Sequence, residues 1–409
     1  MELVRMIHDQ TSFTLDLYKQ VWQQQQQESK PQGSSSTDRE EQHNEKNVVL
    51  SPLSIAMAMA MAAAGAKGQT LEQLTSVVRL PNGSLMHDFA QQLNSVLLGV
   101  ARSDPRAPEL SLANGVWVEQ SLKLRGEYKE IIEKNYGASA RPVDFKNKAQ
   151  ESRGLVNSWV AEATKKKIEE LLPEGSVDPQ TRLILASAIY FKGAWQKQLD
   201  PSQTRDGIFH LPSGKTKEVL MMRSSKKHFI KNHGSFKVLR LPYQRGDDPR
   251  SFSMYVLLPA ELQGLPALVS SLHDAESMGN ALAGIHEVEV GDFQLPKFKI
   301  SLGVQAPELL KRMGLDLAFS PPHADFSGMV EGSPGDDLFI SDVFHKAFVE
   351  VNEEGTEAAA ASAAVVTLRA LNVQMEPEDF VADHPFMFLV REDATGVVLF
   401  VGHVNDPSV

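Results

Sequence analysis

From Phe13 to Trp22 the apolar side chains Phe13, Leu15, Leu17, Tyr18, Val21 and Trp22 recur mostly at helical spacing, which predicts a first helix there. From Gln23 to Glu45 the chain is polar, with nothing to offset the entropy of ordering it, so 23–45 is expected to be a disordered insertion. The other reading of Gln23 to Gln27, a polyglutamine interaction tract, is disfavoured because the run is short. Structure is expected to resume at Asn47-Val-Val-Leu-Ser-Pro-Leu-Ser54, a short strand meeting a helix start with serines as cap candidates. Ile55 to Ala64 is apolar on every side, the mark of a helix inside a large core. Beyond it, β-like runs at Gly115–Val118, Leu183–Ala186, Ser253–Leu258 and Val397–Val401 mix with helical patterns at Ser152–Leu172 and Val304–Met313. No repeat and no second linker interrupts them, so residues 1–409 are read as one α+β domain.

Composition changes the picture by subtraction. The chain has 409 residues, 41 Lys+Arg against 52 Asp+Glu for a formal charge of −11, and no cysteine. Length alone would suggest two or three domains of about 150 residues each, against the single unit that the pattern favours. Without cysteine there is no disulfide framework, no thiolate metal site and no cysteine nucleophile. The first ten residues lack the apolar run of about 7–15 residues in a signal peptide. Cytoplasmic location is therefore expected, with unconventional release to the extracellular space as a further possibility. The run Ile55–Ala64 is about half the ~20 residues needed to span a bilayer, so no membrane role is expected. Net acidity argues against nucleic acid, because that affinity comes mostly from cations neutralising phosphates. Proteins are the expected partners.

Tests for chemistry are mostly negative. The twelve histidines form no His-Glu-x-x-His pattern, and no nucleophile elbow, Walker or dinucleotide glycine motif is present. No metal, cofactor or catalytic residue is expected, and the protein is not read as an enzyme. Ser224-Ser-Lys-Lys227 satisfies Ser-x-x-Lys without its companion motifs and reads as an exposed turn. Arg223, Lys226, Lys227, His228, Lys231 and His233 form a basic patch that could bind a polyanion, but solvated strand and turn residues are the favoured reading. Asn82-Gly-Ser84 matches a glycosylation sequon and is set aside for want of a signal peptide.

One segment resists ordinary readings. After Val349-Glu-Val-Asn-Glu-Glu-Gly355 comes Thr356-Glu-Ala-Ala-Ala-Ala-Ser-Ala-Ala-Val-Val-Thr-Leu-Arg-Ala370, whose alanines favour a helix by propensity. Such a helix would have almost nothing large to bury before Val365. Read instead as a strand, Thr356, Ala358, Ala360, Ser362, Ala364 and Val366 share one face, all small or β-branched, and Glu357 points to solvent. Gly355 is a natural hinge.

These residues resemble the serpin family, whose pattern is also matched by Asn47-x-x-x-Ser51-Pro52-x-Ser54, Gly65-Ala-Lys-Gly68-Gln-Thr70 and Asn157-Ser-Trp159-Val160. Tyr190-Phe-Lys-Gly193-x-Trp195, Leu295-Pro-Lys-Phe-Lys-Ile300, Asp325-Phe-Ser-Gly328, the run His345 to Ala361 and Asp383-His-Pro-Phe386 complete the match. The resemblance is closest to the plant branch. It implies three β-sheets, about nine helices and an exposed reactive-centre loop, here 355–380. It further implies a hinge at Gly355, Thr356, Glu357, Ala358, Ala359, Ala360, Ala361 and Ser362. The scissile bond would fall at Arg369–Ala370, flanked by Leu368, with Leu368 or Leu371 as competing baits.

The expected activity is suicide inhibition of an Arg-specific endopeptidase, trypsin-like serine or papain-like cysteine type, by a monomer that forms a covalent complex. The rival is a non-inhibitory member acting as chaperone, storage or carrier protein. Ser187 departs from the Asn usual in the family and is expected to weaken hydrogen bonding under the central sheet, and Ser362 replaces the commoner Thr.

Overall fold

The computed structural model describes residues 2–28, 46–81, 83–98, 104, 106–331, 338–356 and 377–409. Nine α-helices among them surround three larger sheets and one two-stranded ladder. No helix among the described residues is long and apolar enough to cross a membrane.

The six-stranded central sheet runs in the order Phe298–Gln305, Asp342–Val351, Gly355–Thr356, Leu183–Ala194, Glu109–Glu119, Ser139–Val143. Behind it lies a seven-stranded sheet containing Phe252–Pro259, Phe386–Glu392 and Val398–Val404, the last paired with Val48–Leu50. A four-stranded sheet holds Arg205–His210, Thr216–Arg223, Phe293–Pro296 and Phe380–Val381.

The helix Pro52–Gly65 packs between the two larger sheets, and every one of its residues except Ala64 is buried. Pro52 occupies its first turn, where a missing N–H costs nothing, and Ser51 caps it. Gly65 cannot carry a side chain: a Cβ there would lie 2.8 Å from that of Met329.

The opposite face of the central sheet is covered by the helix Phe145–Ala163 and the chain that returns after it. Val156, Val160, Ile168 and Leu172 pack there on Trp117, Ile184, Ala186, Ala188 and Phe344.

Three expectations are corrected. The first helix runs from Glu2 to Glu28, so residues 23–28 are helical rather than part of a disordered insertion, and residues 29–45 lie outside those described. Glutamine is a good helix former, and the helix ahead of it is anchored: Tyr18 Oη lies 2.9 Å from the buried His403 Nδ1, with Trp22 edge-on to the same ring. The helix expected to reach Leu172 ends at Ala163, because the chain turns through left-handed Lys165 and Lys166. Asn157 Oδ1 then accepts the Leu171 and Leu172 amides, holding the returning segment flat on its own helix. Val304 belongs to a strand, and the helix starts only at Pro307.

Candidate functional site

Asp342–Val351 and Leu183–Ala194 lie parallel and paired from Asp342 opposite Ile184 to Ala347 opposite Ile189. Beyond Ala347 they part, and Gly355 and Thr356 lie in the gap, antiparallel to both neighbours, with Thr356 opposite Gly193 and Val351. Gly355 and Thr356, the first two residues of the expected hinge, are therefore already a strand of the sheet.

A tight turn feeds them in. Asn352 Oδ1 accepts the amides of Glu354 and Gly355, and the Asn352 amide donates to the Gly355 carbonyl at 3.0 Å. Trp195 Nε1 donates to the Asn352 carbonyl at 2.8 Å. Gly355 has φ of 156°, and a Cβ on it would sit 2.1 Å from the Gly193 carbonyl oxygen, so only glycine fits. The carboxylate of Glu353 accepts from Thr204 at 2.7 Å and pairs with Lys297 at 3.0 Å. Burial acts to raise its pKa, but these donors outweigh burial and hold it below the usual carboxylate range. Thr356 itself is buried, with Oγ1 2.7 Å from the Tyr243 hydroxyl.

Under the closed part of the slot sits a polar cluster. The Ser51 amide donates to His345 Nε2 at 3.0 Å, so Nδ1 carries the proton and meets Ser54 Oγ at 2.8 Å. Directly across from His345 is Ser187, whose hydroxyl lies 2.8 Å from Asn114 Oδ1 and 3.1 Å from the Ser54 carbonyl. The amide expected at position 187 is thus matched by one reaching in from the adjacent strand, and the Ser187 hydroxyl is satisfied. This cluster ties together the two strands that bound the slot.

Burial pushes His345 down to about 4, and does the same to His228, about 4, and His403, about 3. Because an unfolded imidazole titrates near 6.5, the rings are neutral in both states above that pH, and below it the unfolded chain takes up protons that the buried rings refuse, so stability falls as pH drops towards 4. At pH 5 each ring has cost the fold about 2 kcal/mol. Asp342, raised to about 6 by burial, works the other way and returns about 1 kcal/mol. The thermal midpoint should therefore drop between pH 7 and pH 5, and His345→Gln should flatten the drop by about 2 kcal/mol. An unchanged midpoint across that interval would contradict the assignment.

The chain that resumes at 377 is pinned to a different sheet. Phe380 and Val381 pair in parallel with Phe293 and Gln294, and Glu378 bonds Lys237 at 2.8 Å. Residues 357–376 join the two anchors. Of the expected site residues, Gly355 and Thr356 are described, whereas Glu357, Ala358, Ala359, Ala360, Ala361, Ser362, Leu368, Arg369 and Ala370 lie outside the described residues.

Several side chains of the basic patch have internal partners. Lys227 pairs with Glu289 at 2.9 Å, Lys231 and Lys226 donate to backbone carbonyls, and His228 is buried against Ser224 and Phe293. Among the described residues no group of three or more acidic or histidine side chains could hold a metal ion.

The central sheet is paired along part of its middle, Gly355 and Thr356 enter where its strands part, and the chain resumes at 377 against a different sheet. The chain belongs to the serpin family, described as serine protease inhibitors, matching it over residues 36–407. It is 49% identical to Serpin-ZXA of Oryza sativa subsp. japonica over 363 residues, covering 88% of this chain and 90% of that one. To Serpin-ZX of Hordeum vulgare it is 48% identical over 366 residues, covering 89% and 91%. Among solved structures, Arabidopsis AtSerpin1 in its native stressed conformation superimposes with a TM-score of 0.87 at 39% identity, covering all of both chains. The chain is thus a protease-inhibitor serpin of plant type.

Proposed function

We propose that the protein is a suicide-substrate inhibitor of Arg-specific proteases, attacked at Arg369–Ala370. The protease nucleophile adds to the Arg369 carbonyl, the peptide bond breaks, Ala370 leaves as a free amine, and Arg369 remains as an acyl-enzyme. The observation that carries this reading is the seated hinge: Gly355 and Thr356 already pair inside the slot, at the end where its bounding strands have parted. Extending the Thr356–Gly193 register inward would set Ala358 opposite Phe191, Ala360 opposite Ile189 and Ser362 opposite Ser187. The side chains entering beneath the sheet would be small, and the Ser362 hydroxyl would arrive where His345 and Ser187 now face each other.

About ten new ladder bonds at roughly 1 kcal/mol each are of the order of a whole domain's stability. The 14 residues from Gly355 to Arg369 span roughly 46 Å as a strand, enough to carry the acylated protease far from where it bound.

Mixing with trypsin should give a covalent complex stable in SDS, with release of a peptide whose mass begins at Ala370. A clean cut at Arg369 with no complex would refute inhibition and favour the carrier or storage reading. Cytoplasmic residence, with release to the extracellular space, is part of the proposal, and immunolocalisation in intact tissue checks it.

A further inference from the structure

Tyr243 was not singled out by any motif, yet it is the side chain on which the first inserted residue rests. Its backbone is fixed by bonds on both sides: the Tyr243 amide to the Phe252 carbonyl at 2.9 Å, and the Gln244 amide to the Ala194 carbonyl at 2.7 Å. Its ring stacks on Trp195 at 4.6 Å and meets Phe191 edge-on at 4.9 Å. Room for the ring exists because position 193 is glycine; a Cβ there would lie 2.7 Å from Tyr243 Cδ1. The ring is therefore clamped, and the hydroxyl it presents is buried. Among the described residues the one hydrogen bond of that hydroxyl is to Thr356 Oγ1, at 2.7 Å. Burial raises the phenol's pKa, so it stays protonated throughout the physiological range.

Starting a strand is costly because the first residues are fixed before most of their bonds form, whereas extending one adds bonds for each residue fixed. Here the start has been made in the uncut protein. Gly355 and Thr356 have few ladder bonds of their own, so a side-chain contact is a large share of what keeps them in the mouth of the slot.

We propose that Tyr243 is a positioning residue whose hydroxyl holds Thr356 inside the sheet before cleavage, so that the freed loop extends from a seated first residue rather than from a loose end. This rests on the trapping mechanism proposed above. The contest after acylation is between insertion and hydrolysis. A hinge that has slipped out must first re-enter, and during that delay water releases the protease and leaves a spent inhibitor.

Tyr243→Phe removes the hydroxyl and keeps the stacked ring. A buried hydrogen bond shifts an equilibrium by about fivefold, so the Thr356 amide should exchange with solvent about fivefold faster in Tyr243→Phe. The number of inhibitor molecules consumed per trypsin trapped should rise severalfold. The rate of first encounter with trypsin and the thermal midpoint should hardly change, which a merely structural role would not give. Thr356→Val should reproduce the effect, the double variant should add nothing to it, and Thr356→Ser should restore trapping.

Unchanged exchange in Tyr243→Phe would overturn the holding contact. Faster exchange with unchanged consumption would overturn its part in trapping. If the unaltered protein were only cut by trypsin, the trapping mechanism itself would fall, while the exchange measurement would still decide whether Tyr243 holds Thr356.

Discussion

Thr356→Arg should convert the protein from a trap into a substrate: trypsin cuts it, no SDS-stable complex accumulates, and the protease leaves active. Position 356 lies beneath the sheet, almost fully buried, over the hydroxyl of Tyr243 and beside the Trp195–Tyr243 stack. Thr356 is buried and its hydrogen-bond partner among the described residues is a neutral hydroxyl, so an arginine inserted there would bury a charge, costing several kcal/mol. The uncut protein escapes the cost by leaving its hinge outside the sheet, and its thermal midpoint should shift by only a few degrees. Under the proposed mechanism the cut protein has no such escape, since insertion would begin at this residue. Trapping should fall by at least about a hundredfold, the ratio that some 3 kcal/mol represents. Efficient complex formation by Thr356→Arg would rule out insertion from this end of the loop.

The second large effect concerns which protease is caught. Arg369→Phe should abolish trapping of trypsin and create trapping of a chymotrypsin-like enzyme. A guanidinium is read by bidentate pairing with a carboxylate at the base of the specificity pocket, and a phenyl ring leaves that carboxylate buried and unpaired. Pockets built on such a pairing discriminate by at least about a hundredfold. Rates measured with the two proteases before and after the substitution give the answer directly. If trypsin were still trapped by Arg369→Phe, the bait would not be Arg369.

Much of the architecture was legible from the chain, and the places where it was not share a cause. The apolar helix from Pro52 and the strands around Val116, Leu185, Val256 and Val401 are all announced by local pattern. Helix ends were harder. Glutamines after Trp22 have no apolar face to show, and their helix is extended from one fixed by the Tyr18–His403 contact, whose partners are 385 residues apart. Lys165 and Lys166 turn the chain without the glycine that usually marks a left-handed position, so the helix was read too far. The same limit hid most of the site. Tyr243 lies 113 residues from Thr356, and Asn114 lies 73 from Ser187; nothing in the neighbourhood of either residue signals its partner. The departure at Ser187 was visible in the chain, but its compensation by Asn114 required the register of two strands.

The closed pairing of Asp342–Ala347 with Ile184–Ile189 has a consequence for how much of this protein is needed. Under the proposed mechanism that seam can be opened and filled once, because the strand that fills it has been cut and cannot be rejoined. Each molecule is a single charge. Protection then depends on a head count rather than a turnover rate: protease is silenced completely until the last intact copy is consumed, and the next molecule of protease meets no resistance. A dose curve with a sharp corner, rather than a gradual decline, is the form such a defence takes.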